Sequence, residues 1–162
     1  MAYTFAEGLV DTILSYLESN LPAKLDAIDT QLDDGITLRD PVAYLRRDPL
    51  DPRAITTCPV VFAIVPRTVL LQWRETAARQ SHQTLIYLVE QHSDPEELRK
   101  RMYRYGRAVW ETLVDGHFDS SLVWSIGIGT PPVIDFSETL TSRNISMADV
   151  RLDIIFEGPE TE

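Results

Sequence analysis

Apolar residues recur at helical spacing from the start of the chain. Phe5, Leu9, Ile13, Tyr16 and Leu17 fall on one side, and Val10, Leu14 and Leu21 widen that face. Thr4 and Glu7 have capping-box spacing, so each can satisfy an amide at a helix start. The pattern predicts a helix from Thr4 to about Asn20. Pro22 then interrupts it and is expected to open a second short helical piece carrying Leu25, Ile28 and Leu32.

Residues 33–58 lose this periodicity. Asp33-Asp34-Gly35 is a turn signal, and Asp40-Pro41, Asp48-Pro49 and Asp51-Pro52 each disfavour helix before the proline. A long irregular arm is expected here, with a short strand at Ala43 to Leu45. Loops of this length inside a domain are uncommon and often functional.

Strand patterns follow. Val60 to Val65 is a β-branched run bounded by prolines, and Thr84 to Val89 is a second run. The two are expected to be antiparallel neighbours. Between them, 67–80 reads either as a strand extension or as a long hairpin loop. Asp94 to Val114 then carries a full set of helix signals: Ser93 or Asp94 as cap, Pro95 at the first position, and Glu96 and Glu97 against the positive end of the dipole. Leu98, Met102, Tyr105, Val109 and Leu113 make its apolar stripe, with Lys100, Arg104, Arg107 and Glu111 opposite. Asp115-Gly116 should end it, with glycine supplying a left-handed turn.

Leu122, Trp124, Ile126 and Ile128 alternate with smaller residues up to Pro131-Pro132, and Val133 to Phe136 can continue that strand past a bend. In the closing strand Val150, Leu152, Ile154 and Phe156 share one face, while Asp149, Arg151, Asp153 and Ile155 share the other. Such alternation predicts one packed and one wet sheet face. The fold class expected is α+β: an antiparallel or mixed sheet of about four strands packed against two main helices, with the arm between the first helix and the first core strand. One domain is expected over residues 1–157, with 67–80 as a variable connection and 158–162 as a disordered acidic tail.

Composition adds limits. The chain has 162 residues, 44% of them apolar and 25% charged, which suits one globular domain with its own core. No apolar run approaches the ~20 residues needed to span a bilayer, so no membrane association is expected. The N-terminus lacks a basic region of the secretory type. The net charge of −10 opposes nucleic-acid binding at long range.

Candidate chemistry is sparse. The single cysteine, Cys58, excludes an intramolecular disulfide and reads as a half-buried small residue at a strand start rather than a nucleophile. His82, His92 and His117 have no metal-ligand spacing. Gly127-Ile128-Gly129 lacks the third glycine and following helix of a dinucleotide fingerprint. Asp149 and Asp153 share a face with Arg151 between them, which suits charge compensation or a bridge to a neighbouring chain. No catalytic, metal or cofactor-binding residue is therefore assigned, no cofactor is expected, and the chain does not read as an enzyme.

Arg99, Lys100, Arg101, Arg104 and Arg107 crowd five bases into nine positions. They form either a solvated helix back or a contact for an acidic patch on another chain; a nucleic-acid groove ranks third. Trp73 is an interface anchor or folds back onto the core.

Three stretches together resemble the tail terminator (tail-completion) proteins of long-tailed bacteriophages. The first is the N-terminal helix leading through a proline-containing arm into Pro59-Val60-Val61-Phe62-Ala63-Ile64-Val65. The second is Gln83 to Val89 running into Ser93-Asp94-Pro95-Glu96-Glu97-Leu98 and Tyr103-Arg104-Tyr105-Gly106-Arg107-Ala108-Val109. The third is Asp149-Val150-Arg151-Leu152-Asp153-Ile154-Ile155-Phe156-Glu157. The match covers most of the chain as an element order, without an invariant motif.

The resemblance implies a structural virion protein, made in the host cytoplasm, that forms a hexameric ring at the head-proximal end of the tail tube. Its partners would be further copies of itself, the tail-tube protein and the head-connector (stopper) protein, with DNA passing through the lumen without specific binding. Candidate contacts are Arg46, Arg47, Trp73, Arg74, Lys100, Arg104, Arg107, Asp149, Arg151 and Asp153. Alternatives are another neck component, such as a head-completion or adaptor protein, and a small α+β binding or regulatory module.

Overall fold

In the computed structural model, residues 5–46, 57–74, 77–116, 125–126, 133–140 and 146–159 are described. The elements, in order, are α1 (Phe5–Leu32), β1 (Ala43–Leu45), β2 (Val60–Arg74), β3 (Ala77–His92), α2 (Pro95–Val114), β4 (Ser125–Ile126), β5 (Val133–Leu140) and β6 (Ser146–Pro159). The expected α+β architecture is present. Four long strands, β2, β3, β5 and β6, build the sheet, and two short ones extend it. Adjacent strands run antiparallel except β1, which lies parallel to β2 and makes the sheet mixed.

Helix α1 does not stop at Pro22; it continues as one helix to Leu32. An interior proline costs about 3 kcal/mol. Against this, Leu9, Ile13, Leu17, Leu21, Leu25 and Ile28 form one buried stripe across the proline, each side chain contributing roughly 1.5–3 kcal/mol. Burial wins, so the expected break is absent. Thr4, and with it the capping box, lies outside the described residues.

Helix α2 follows its sequence signals closely. The Asp94 carboxylate accepts from the Glu96 and Glu97 amides, and Leu98, Met102, Tyr105, Val109 and Leu113 are buried. Its end differs from expectation. Asp115 caps it in the right-handed region, and Gly116 donates to the Leu113 carbonyl at 3.2 Å. The left-handed positions among the described residues are Asp33 and Gly35, in the turn after α1.

Both helices pack on one sheet face, over Val61, Ala63, Ile86, Leu88, Val150, Leu152, Ile154 and Phe156. The opposite face is not simply wet. Cys58, Val60, Phe62, Val89 and Met147 form a second buried cluster there. Val60 and Phe62 alternate with Val61 and Ala63, so the apolar run of β2 serves both faces. Farther along this face the register aligns Phe62, Tyr87, Arg151 and Asp135 in one row and Ile64, Leu85, Asp153 and Val133 in another.

Residues 67–74 and 77–80 are strand, which selects the strand extension over the long loop; 75–76 lie outside the described residues. β2 runs through Pro66 with register shifts between Ile64 and Arg67 and between Leu70 and Gln72, and pairs with β3 as far as Arg74 and Ala77. β6 likewise outruns the sequence expectation. Gly158 and Pro159, assigned to the tail, pair with Gln80 and Arg79, while 160–162 lie outside the described residues. β4 and β5 lie along the same edge of β6, and the residues joining them are outside the description.

Candidate functional site: a buried carboxylate, a docked strap and paired surface charges

The first part of the arm, 33–46, is docked. After the turn at Asp33 and Gly35 the chain crosses α2 as a strap and becomes β1. The Leu38 amide donates to Asp29 Oδ2 at 2.8 Å, and Leu38 is buried. The Arg39 amide donates to the Tyr105 hydroxyl at 3.0 Å, and the Arg39 carbonyl lies 2.9 Å from the same oxygen. Val42 donates to the Pro59 carbonyl at 2.8 Å, just before β1 joins β2. The irregular arm with its short strand at Ala43–Leu45 is thus held against the body of the protein over these residues; 47–56 are outside the description.

Beneath the strap lies Glu90, wholly buried on the helix-facing side of β3. An isolated buried carboxylate would be costly, and four groups offset that cost. Arg39 Nη2 donates to Oε1, the Gln91 amide donates at 2.9 Å, the Tyr105 hydroxyl stands 3.2 Å from Oε2, and Arg101 Nη1 lies 4.0 Å away. The Tyr105 hydroxyl has one proton to share between Glu90 and the Arg39 carbonyl. Burial and the Glu90 charge together push the Tyr105 phenol well above its ordinary range. The sequence singled out Tyr105 only as a core residue and gave Glu90 no role; an acid on the apolar parity of a strand is the signal that could have found it.

Cys58 is buried, beyond the half-burial expected, and precedes a cis peptide bond to Pro59. Burial, reinforced by Glu90, pushes its thiol up to about 11, so it stays protonated at neutral pH. His82 is buried on β3 with Nδ1 2.8 Å from the Thr68 hydroxyl, and burial lowers its pKa to about 4. His92 sits at the far end of β3, where Nδ1 accepts from the Asp94 amide at 3.0 Å and Nε2 lies 3.4 Å from Glu97. Among the described residues no three His, Cys, Asp or Glu side chains come together as a metal site. A shallow open cavity of about 370 Å³ is lined by Arg39, Gln91, His92, Ser93 and Arg101.

The candidate contact residues are scattered. Arg46 follows β1 and pairs with Asp11, and Arg47 is outside the description. Trp73 and Arg74 lie at the far end of the β2–β3 hairpin, their backbones opposite Ala78 and Ala77. The bases of α2 already have acidic partners within the chain. Arg99 pairs with Glu138 at 3.0 Å, Lys100 with Glu96 at 3.3 Å, Arg101 with Glu97 at 2.6 Å and Arg107 with Glu111 at 2.7 Å. Arg104 grips Asp34 through both ends of its guanidinium, one bond at 3.0 Å, and its side chain is only 11% exposed.

Asp149, Arg151 and Asp153 share the sheet face away from the helices, as expected. Ser137 donates to Asp149, Arg151 pairs with Asp135 at 2.5 Å, and Gln83 donates to Asp153 at 2.9 Å. The carboxylate of Asp135 holds the Arg151 pKa above its usual value.

These features define a two-layer α+β protein with helices on one sheet face and compensated charge on its surface. No family model and no curated protein matches the chain. Among solved structures it is similar to a chain of the virion of native gene transfer agent (GTA) particle. That alignment covers 88% of this chain and 95% of the other, at 14% identity and a TM-score of 0.31. So loose a likeness decides neither fold nor function. No helix among the described residues is long and apolar enough to cross a membrane.

Proposed function

We propose that this chain is a structural protein of a phage-like virion, forming a ring at the head-proximal end of the tail tube. There it ends tube polymerisation and joins the tail to the head connector. Its partners in this reading are further copies of itself, the tail-tube protein and the head-connector protein, with DNA passing unbound through the lumen.

The observation that carries the reading is the element order: a long helix, an arm, a long hairpin, a capped helix and a closing hairpin. That is the order on which the resemblance to tail terminators rests. The layout leaves one sheet face without a helix, and long strands whose outer edges can meet another chain.

Light scattering on the protein, alone and with purified tail tubes, tests this. Rings, or protein bound at tube ends, are expected. A chain that stays monomeric in both conditions and leaves tube ends unbound would sink the proposal.

The cavity beside Arg39 and Arg101 favours a second reading, a binding module for a small anion. A thermal shift on adding small carboxylates or phosphates, with no self-association, would select it over the ring.

A further inference from the structure

One outer edge of the sheet, that of β5, differs from ordinary protected edges, whereas β2 carries Pro66 and two register shifts. Natural sheets blunt an edge with proline, lysine, a bulge or a covering element. β5 has none of these along Val133-Ile134-Asp135-Phe136-Ser137-Glu138-Thr139-Leu140, and among the described residues no strand lies outside it. Large apolar side chains flank it in the open: Val133 is 48% exposed, Phe136 44% and Tyr103 54%. Tyr103 and Phe136 stack edge-to-face at 4.9 Å. At the other side of the sheet, β1 covers only Val60 to Phe62 of β2. From Ala63 to Arg74 the outer edge of β2 is open among the described residues, and the stretch after Pro66 is as long as β5.

Strand direction decides which edges can meet in a ring. β2 and β6 run one way, β3 and β5 the other. A copy placed by a rotation that preserves strand direction brings its β2 antiparallel to β5 of its neighbour. Charge points the same way. β5 carries two acids, Asp135 and Glu138, each already paired with an arginine of its own chain, and no base, while the open stretch of β2 carries two bases in sequence, Arg67 and Arg74, and no acid. Two β5 edges facing each other would oppose like charges.

We propose that the open edge of β5 in one copy pairs antiparallel with the open edge of β2 in a second copy, so that the sheet continues from subunit to subunit. The inference rests on the ring reading above and supplies its subunit contact. β5 lies level with Ile64 and positions before it, so neighbours are offset along the strands, a stagger that strand tilt accommodates in a closed ring.

The test is crosslinking of the full chain. Val69, Val133 and Ser137 are exposed and point away from the helices, so Val69→Cys, Val133→Cys and Ser137→Cys should each fold, as circular dichroism will check. The parent chain is the control, since buried Cys58 offers no competing reactive thiol. A bismaleimide spanning two strand spacings, roughly 10 Å, is added to single variants and to mixtures. Crosslinks in the mixture of Val69→Cys with Val133→Cys or with Ser137→Cys, several-fold above any variant alone, are expected. Crosslinking of Ser137→Cys or Val133→Cys alone would replace the proposal with a two-fold β5–β5 contact. Oligomers by light scattering with no such crosslink would overturn this contact and leave the ring reading standing. Monomers throughout would remove both.

Discussion

Buried polar side chains set this protein's response to pH. His82 is buried on β3 beside Thr68 of β2, and its pKa falls from about 6.5 to about 4 on folding because burial disfavours the imidazolium. The unfolded chain therefore binds more protons than the folded one between those values. The stability this histidine contributes is full above pH 6.5 and is lost as the pH drops towards 4. Urea midpoints at pH 7 and pH 5 should fall in that order, and His82→Gln should shrink the difference. An unchanged slope in the variant would remove His82 as the cause. Glu90 and Tyr105 make a second residue-scale case. Tyr105→Phe keeps the buried ring but strips a partner from the Arg39 amide and from the Glu90 carboxylate. Leaving buried polar groups short of a partner costs about 1–3 kcal/mol. The strap amides from Ile36 to Val42 should then exchange faster with deuterium than those at the α2 N-terminus; equal exchange would mean that the hydroxyl does not hold the strap.

At the scale of elements, α2 approaches the sheet closely at Gly106. A Cβ built there would lie 3.1 Å from Val150 Cγ2 and 3.4 Å from Ile134 Cγ2. Alanine gains roughly 1 kcal/mol of helix propensity over glycine, which offsets a few tenths of an ångström of adjustment. Leucine must wedge the helix away from β5 and β6, at about 1–3 kcal/mol or more. Gly106→Ala should thus be near neutral in thermal melting, and Gly106→Leu clearly destabilised. Equal losses would mean that the gap cannot give at all. This contact was not legible in the sequence, because it joins residues from three elements. The helices and strands themselves were legible wherever periodicity and caps agreed, as in α2 and in the alternation of β6 from Asp149 to Phe156. β1 was also readable, from a short apolar stretch between prolines. Pro22 and Pro66 misled because local proline rules do not count burial: a continuous leucine stripe carries α1 past one, and an edge position with a register shift lets β2 pass the other. The docking of the arm was not legible because two of its anchors, Tyr105 and Glu90, lie far from it along the chain.

For the whole molecule, net charge and local charge tell different stories. An overall charge of −10 made the basic run of α2 look like a docking surface. In the fold those bases already neutralise acids from the strap, β3, β5 and α2 itself, so the helix back is a compensated surface rather than a positive one. This changes what a charge reversal would report. Arg104 is almost enclosed and ties the strap through Asp34, whose carboxyl it holds below the usual range. Arg107 is 42% exposed and bridges to Glu111 and to Gln31 of α1. Exposed pairs of the second kind are worth less than about 1 kcal/mol. Arg104→Glu should therefore lower the urea midpoint more than Arg107→Glu, because it places a second acid against Asp34 and frees the strap. A loss of assembly in the double variant would then be ambiguous between folding and contact. Lys100→Glu separates them: its partner Glu96 is on the same helix and both are largely exposed, so folding should hardly change. If subunits or tail proteins meet this face, Lys100→Glu weakens assembly at an unchanged urea midpoint. If assembly is also unchanged, the contacts lie elsewhere, and the strand edges become the surfaces to probe.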